Sequence, residues 1–112
     1  MSTFRPVARL SELEEGIPLR VEVDGRALAV VRSGGEVFAC QDTCTHEEAS
    51  LAEGEAFDGI IECPLHGARF DLRTGAVRSL PAVFPIQVYE VKVEGDDVLV
   101  KLPEAQPAAG SA

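Results

Sequence analysis

Residues 20–41 read RVEVDGRALAVVRSGGEVFACQ, and this segment is typical of antiparallel strands joined by tight turns. β-Branched and other apolar residues run on both sides of Asp24-Gly25, a pair that favours a two-residue hairpin turn. Two adjacent glycines mark the next turn, at 33–36, and a further alternating run follows at 37–41. The segment therefore predicts strands at 20–23, 26–32 and 37–41.

The same pattern continues towards the end of the chain. Apolar runs at 60–62 and 68–71 flank a loop at 63–67, and runs at 87–93 and 98–102 alternate around a Gly-Asp-Asp turn. Helix is scarce: only 11–15 resembles a capped turn, with Ser11 as N-cap and Glu14 three residues later. The sequence thus predicts an all-β fold, a small antiparallel β-sandwich or barrel.

Length and composition indicate a single domain. The chain has 112 residues, 46% of them hydrophobic, which is enough for one packed core. From residue 103 the sequence PEAQPAAGSA has no apolar periodicity and two prolines. We therefore expect one domain over 1–102 and a disordered tail at 103–112.

The charge balance limits the classes of partner. Nineteen acidic residues against ten basic ones give a formal net charge of −9. Such a surface disfavours nucleic acid and anionic membranes, and it favours docking to a protein with a positive patch. The chain has no long apolar stretch for a secretion signal or a membrane span, so we expect a cytoplasmic protein. Three cysteines without an export signal favour metal or redox chemistry over disulfides.

Two short motifs carry the chemistry. One is Cys44-Thr45-His46, and the other is Cys63-Pro64-Leu65-His66, which together use both histidines of the chain. Thiolate and neutral imidazole bind borderline and soft metals. Because each motif offers one thiol and one imidazole, two loops that meet would make a four-ligand site.

Zinc and an iron–sulfur cluster are the two candidates for such a site. Structural zinc sites commonly pair cysteine with cysteine and histidine with histidine along the chain. Here each loop mixes the two types, which suits a cluster whose two irons need different ligands. A zinc-stabilised interaction module stays open as the alternative.

The sequence C-T-H followed by C-P-L-H-G resembles the signature of Rieske-type [2Fe–2S] ferredoxins. The resemblance implies one cluster, with Cys44 and Cys63 on one iron and His46 and His66 on the other. It also implies a cluster-binding subdomain at about 40–82, formed by two hairpin-like loops. A third segment containing Pro81 would cover the cluster.

This resemblance also implies a function. Similar ferredoxins of bacterial multicomponent aromatic-ring dioxygenases are one-electron carriers and not enzymes themselves. They take electrons from an NADH-dependent flavoprotein reductase and pass them to a terminal ring-hydroxylating oxygenase. We expect the same partners here and a monomeric chain. The small Rieske-like subunit of an assimilatory nitrite reductase is the second alternative.

Departures from the respiratory branch of the family are informative. The positions of that branch's disulfide are Ala49 and Leu65 here, and its serine and tyrosine hydrogen-bond donors are replaced by Ala68 and Phe70. Fewer donors to sulfur predict a low reduction potential, roughly −150 mV. Cys40, outside both motifs, is expected to be a buried small hydrophobe.

Overall fold

The computed structural model describes residues 3–44, 49–65, 67–79 and 84–102. His46, His66, Pro81 and the predicted tail at 103–112 lie outside the described residues. Within the described ranges the chain forms ten strands and two 3₁₀ turns. The strands are β1 Thr3–Arg9, β2 Leu19–Val23, β3 Arg26–Ser33, β4 Glu36–Gln41, β5 Glu55–Phe57, β6 Ile60–Glu62, β7 Arg69–Asp71, β8 Val77–Ser79, β9 Val88–Glu94 and β10 Asp97–Leu102. The 3₁₀ turns are Leu10–Glu12 and Leu51–Glu53.

The strands form two antiparallel sheets, which confirms the predicted all-β fold. The larger sheet has six strands in the order β1-β10-β9-β4-β3-β2. The smaller one has four strands in the order β5-β6-β7-β8. The hairpins predicted around Asp24-Gly25 and Gly95-Asp96 both form in the larger sheet, and Asp24 and Gly25 adopt φ values of 53° and 79°. These values are those of a type I′ turn, whose twist matches that of the flanking strands.

Strand β3 is buried on both faces, which explains its continuous apolar run. Leu28 and Val30 face a core formed with β10, whereas Ala29 and Val31 face a second core shared with the smaller sheet. A strand with a core on each side needs apolar residues at successive positions, since side chains alternate between faces. The larger sheet therefore carries the smaller sheet on the outer face of β3 and β4.

Hydrogen bonds and one ion pair join the two sheets. The Gly16 N–H donates to the Arg32 carbonyl at 2.8 Å, and the Gly16 carbonyl accepts from the Ala56 N–H at 2.9 Å. Arg73 of the β7–β8 turn pairs with Glu36 of β4. The smaller sheet is therefore held in place by contacts at several points along the larger one.

Strand β1 was not predicted, because Pro6 interrupts its pattern. The strand lies at the edge of the larger sheet and pairs with β10, from Thr3 opposite Leu102 to Arg9 opposite Asp97. Its register shifts between Pro6 and Ala8. An edge strand tolerates proline, since one side of its backbone needs no hydrogen-bond donor.

The predicted helical turn is displaced. The 3₁₀ turn spans Leu10–Glu12, and the Glu12 carboxylate accepts the Arg9 N–H at 2.8 Å. The Ser11 hydroxyl does not cap it but donates to the Asp96 carboxylate at 3.0 Å. The prediction of Ser11 as N-cap was therefore wrong, because Asp96 of the β9–β10 turn binds the hydroxyl. No helix among the described residues is long and apolar enough to cross a membrane.

Candidate metal centre

The two cysteines of the motifs lie in the same core. Cys44 follows β4 and is 3% exposed, and Cys63 follows β6 and is 1% exposed. Both belong to the apolar cluster between the two sheets. The structure thus brings together the cysteines of two motifs that are far apart in the sequence. The motif histidines, His46 and His66, fall outside the described residues.

The two motif loops are closed by equivalent backbone hydrogen bonds. The Cys44 N–H donates to the Ala49 carbonyl at 2.9 Å, and the Cys63 N–H donates to the Ala68 carbonyl at 2.7 Å. In each case the acceptor lies five residues after the cysteine. Each cysteine is therefore anchored through its own backbone at the first position of a closed loop.

The two loops differ in the backbone pairs that flank them, which we call their necks. The second loop, 63–68, sits on a β-hairpin in which Glu62 of β6 pairs with Arg69 of β7. The first loop, 44–49, is preceded by β4 but followed by a single bridge, Thr43 to Ser50, and a 3₁₀ turn. Regular pairing of β6 with β7 holds the neck of the second loop, whereas the neck of the first loop depends on other contacts.

Asp42 supplies those contacts at the first neck. The residue is 4% exposed, and Oδ1 accepts the Ser50 hydroxyl at 2.8 Å and the Ala52 N–H at 3.0 Å. Its carbonyl accepts the Leu51 N–H at 2.6 Å. From the sequence alone, an aspartate at this position indicates only a turn. A carboxylate two residues before the C-x-H motif, with serine just after the loop, is the sequence signal that could have indicated these contacts.

Glycines allow the second loop to approach its neighbours. Gly67 has a φ of 73°, as expected of a glycine that permits positive φ. Gly54, directly after the second 3₁₀ turn, lies so close to β6 that an added Cβ would stand 1.9 Å from the Glu62 carbonyl oxygen and 3.3 Å from Cδ of Pro64. The segment that leaves the first loop therefore packs directly against the neck of the second.

An acidic cleft lies beside the second loop. It is open, encloses about 330 Å³ and is lined in part by Glu53, Glu55 and Glu62 together with Cys63. Glu62 is paired with Arg69, with Oε2 and Nε 3.2 Å apart, whereas Glu53 and Glu55 are exposed. The surface next to the buried thiol of Cys63 is therefore negatively charged.

Comparison with known proteins assigns the family. The family model described as the Rieske [2Fe-2S] domain matches residues 3–90. The chain belongs to this Rieske family. The ferredoxin component of biphenyl 2,3-dioxygenase from Rhodococcus jostii (strain RHA1) is 47% identical over 91 residues, which cover 81% of this chain and 85% of the relative.

Solved structures show that the similarity includes the fold of this Rieske domain. The ferredoxin of carbazole 1,9a-dioxygenase from Nocardioides aromaticivorans IC177 has a TM-score of 0.82 and 45% identity, and the match covers 88% of this chain and 96% of that one. A chain from a complex of reduced oxygenase and oxidized ferredoxin in carbazole 1,9a-dioxygenase has a TM-score of 0.79 and 41% identity, over 86% of this chain and 99% of that one. These relatives are electron-transfer components of dioxygenase systems.

The residues described in this Rieske domain fit an iron–sulfur cluster. Two cysteine sulfurs enter one apolar core from separate loops, and thiolate is the protein ligand that such clusters require. Within the described ranges, no group of three or more Cys, His, Asp or Glu side chains forms a separate metal site. Among the described residues, Cys44 and Cys63 offer thiol donors of the type that such a cluster needs.

Two of the positions at which the sequence departs from the respiratory branch lie in the core of the Rieske domain. Ala68 and Phe70 are fully buried, and neither side chain has a hydrogen-bond donor. Cys40 is fully buried in β4, as predicted for a small hydrophobe. Burial, with a smaller contribution from the Asp42 charge, raises the pKa of the Cys40 thiol to about 12. Cys40 is thus a packed thiol held in its neutral form.

Proposed function

We propose that this protein is a one-electron carrier with one Rieske [2Fe–2S] cluster, bound by Cys44, His46, Cys63 and His66. When bound, the cluster supplies a site that takes up and releases a single electron. The burial of Cys44 and Cys63 in one core is the observation that carries the proposal. The chain's own part is to hold these two sulfurs at the starts of closed loops and to keep water away from them.

We also propose the partners that this role requires. The named relatives belong to dioxygenase systems, and one similar structure is a complex with an oxygenase. These likenesses favour a dioxygenase ferredoxin over the nitrite reductase subunit and over a zinc-stabilised module. The proposed electron donor is an NADH-dependent flavoprotein reductase, and the proposed acceptor is a terminal ring-hydroxylating oxygenase.

The acidic surface supports docking to basic partners. The chain has a net charge of −9, and the cleft next to Cys63 carries exposed carboxylates of Glu53 and Glu55. Opposite charges on two proteins steer their encounter and orient them before contact. The proposed partners should therefore present positive patches to the end of the molecule that holds the two loops.

The proposal also includes the bounds of the folded domain. We propose that residues 1–102 form the single, monomeric domain and that 103–112 are a tail. The last strand, β10, ends at Leu102, where it pairs with the first strand. Limited proteolysis should remove the tail and leave a core that keeps its cluster. Loss of the cluster together with the tail would contradict this division.

Iron and acid-labile sulfide analysis tests the cluster and its ligands. Anaerobically prepared protein should contain two irons and two sulfides per chain, and after reduction it should show the low average g value of histidine-ligated clusters in electron paramagnetic resonance. Cys44→Ser and Cys63→Ser should lose the cluster. Cys40→Ala is the matched control, since this cysteine is equally buried but lies outside both motifs, and it should keep the full iron and sulfide content. A colourless protein that holds zinc would overturn the proposal.

Stopped-flow absorption tests which electron acceptor the reduced protein uses. The chemically reduced protein should be reoxidised by the terminal oxygenase of biphenyl 2,3-dioxygenase, the system of the Rhodococcus relative. It should not be reoxidised by nitrite together with an assimilatory nitrite reductase that lacks its own small subunit. Reoxidation only in the second mixture would instead favour the nitrite reductase role.

A further inference from the structure

The two motif loops depend on different supports. The neck of the second loop is a backbone ladder between β6 and β7. The neck of the first loop has one isolated bridge, and the chain then turns away as a 3₁₀ turn. A buried carboxylate, that of Asp42, takes the place of a returning strand at this neck.

The contacts of Asp42 reach both sides of the first loop. Its N–H donates to the Ala27 carbonyl at 3.1 Å, which fixes it to the start of β3. Its Oδ1 holds Ser50 and Ala52, and its carbonyl holds Leu51, all on the returning side. The residue thus sets the distance between the end of β4 and the segment that follows the loop.

The charge of Asp42 is not what makes these contacts specific. Its other oxygen, Oδ2, accepts from Nε of Arg20 at 3.2 Å. The Arg20 side chain is 49% exposed and also binds Glu22 at 3.0 Å, so this ion pair is shared and screened by solvent. The hydrogen bonds at Oδ1 are partly buried and join an enclosed carboxylate to the segment that follows the loop, and leaving such donors without their acceptor is costly.

From this geometry we infer that Asp42 is the positioning residue for the Cys44–His46 motif, acting through its hydrogen bonds to Ser50 and Ala52. It touches no cluster atom in this role. It fixes where the first loop stands relative to the second, and hence whether ligands from two loops meet at one cluster. The inference rests on the proposed function, because it assumes that the two motifs share one cluster.

A series of variants separates positioning from general stability. Asp42→Ala removes all side-chain acceptors, Asp42→Asn keeps one oxygen acceptor without the charge, and Arg20→Gln removes only the ion pair. Asp71→Ala is the matched control. Asp71 also binds two backbone N–H groups and an arginine, but at the β7–β8 turn. Each variant is compared with the wild-type holoprotein.

The measurements are the rate of iron release to a chelator, the electron paramagnetic resonance line shape of the reduced protein, and the unfolding midpoint. Asp42→Ala should release iron about tenfold faster or more and broaden the resonance, since the Ser50 hydroxyl and the Ala52 N–H both lose their acceptor. Asp42→Asn should restore both properties to near wild type, and Arg20→Gln should match wild type. Asp71→Ala should lower the midpoint while its iron release and line shape stay unchanged.

Wild-type iron release and line shape in Asp42→Ala would overturn the inference. So would changes that Asp71→Ala reproduces, because positioning would then be indistinguishable from lost stability. If Asp42→Ala does not fold, Ser50→Ala decides: release about threefold faster supports the inference, and a wild-type rate overturns it. A wild-type protein without iron would instead refute the proposed function itself, which is a separate outcome.

Discussion

At the scale of single residues, the packed cysteine of this chain differs from the two cysteines proposed as ligands. Cys40, Cys44 and Cys63 are all buried, so burial alone does not distinguish them. Their backbones do. Cys40 lies within the ladder of β4, opposite Ala29 and Val88, whereas the other two stand where a strand gives way to a loop. The motif spacing made this difference predictable from sequence.

The raised pKa of Cys40 predicts a specific pH dependence of stability. An unfolded chain loses this thiol proton near the ordinary pKa of 9.0, but the folded protein keeps it until about pH 12. Between these values the unfolded state binds fewer protons, so stability falls as pH rises. Cys40→Ala lacks this contribution. Relative to that variant, the wild-type unfolding temperature should therefore decline from pH 8.5 to pH 10.5.

Thermal unfolding of both proteins at matched pH values checks this difference. The other titrating groups are common to the two, so they cancel in the comparison. Parallel curves across the alkaline range would show that the Cys40 thiol ionises as easily in the fold as outside it.

The contacts of Asp42 could not be predicted from the local sequence. An aspartate before a loop is typical of a turn, and the sequence does not show that the side chain is enclosed. Its side chain is held by Ser50 and Ala52, which follow the first loop and come back to Asp42 in the folded chain. The burial of Asp42 therefore depends on tertiary contacts, which the local sequence does not show.

At the level of elements, strands flanked by clear turns or by a motif loop were predictable, whereas β1, β5 and β8 were not. The hairpins β2–β3 and β9–β10 were expected from their turns, and β6 was expected with its observed bounds. Strands β5 and β8 have three residues each and no distinctive periodicity. Such short strands form because the neighbouring β6–β7 hairpin provides a template for pairing.

The close approach at the start of β5 gives a prediction about packing. A Cβ at Gly54 would meet the Glu62 carbonyl, a backbone atom that cannot turn aside. Gly54→Ala should therefore push the second 3₁₀ turn away from the second loop and lower the free energy of unfolding by about 2 kcal/mol. Iron release should also become faster. Urea titrations and chelator kinetics measure the two effects.

Gly34→Ala is the control for this substitution. Gly34 has a φ of 62° but open space around its Cβ position, so only backbone strain opposes alanine there. Its cost should be about 1 kcal/mol, without a change in iron release. Equal effects of the two variants would mean that crowding at Gly54 is unimportant.

For the whole molecule, the excess of acidic residues has a kinetic consequence. With a net charge of −9, association with a basic partner should be faster at low salt than diffusion and orientation alone would allow. The second-order rate constant for electron transfer to the terminal oxygenase should fall about tenfold between 0.05 and 0.5 M NaCl. Stopped-flow mixing measures it.

A neutral quinone is the matching control oxidant. Its reaction with the reduced protein should be nearly independent of salt, because an uncharged molecule is not steered by the field of the protein. If the oxygenase reaction is equally insensitive, the acidic surface serves solubility and plays no part in docking.

The ladder between β1 and β10 joins the two extremes of the domain, with Thr3 opposite Leu102. During synthesis, β1 therefore has no partner until β10 has been translated. Contacts of such long sequence separation form slowly, since a large loop must close before they contribute. Until then, an unpaired edge of the larger sheet remains available to other nascent chains, and rapid completion of the polypeptide protects it from aggregation.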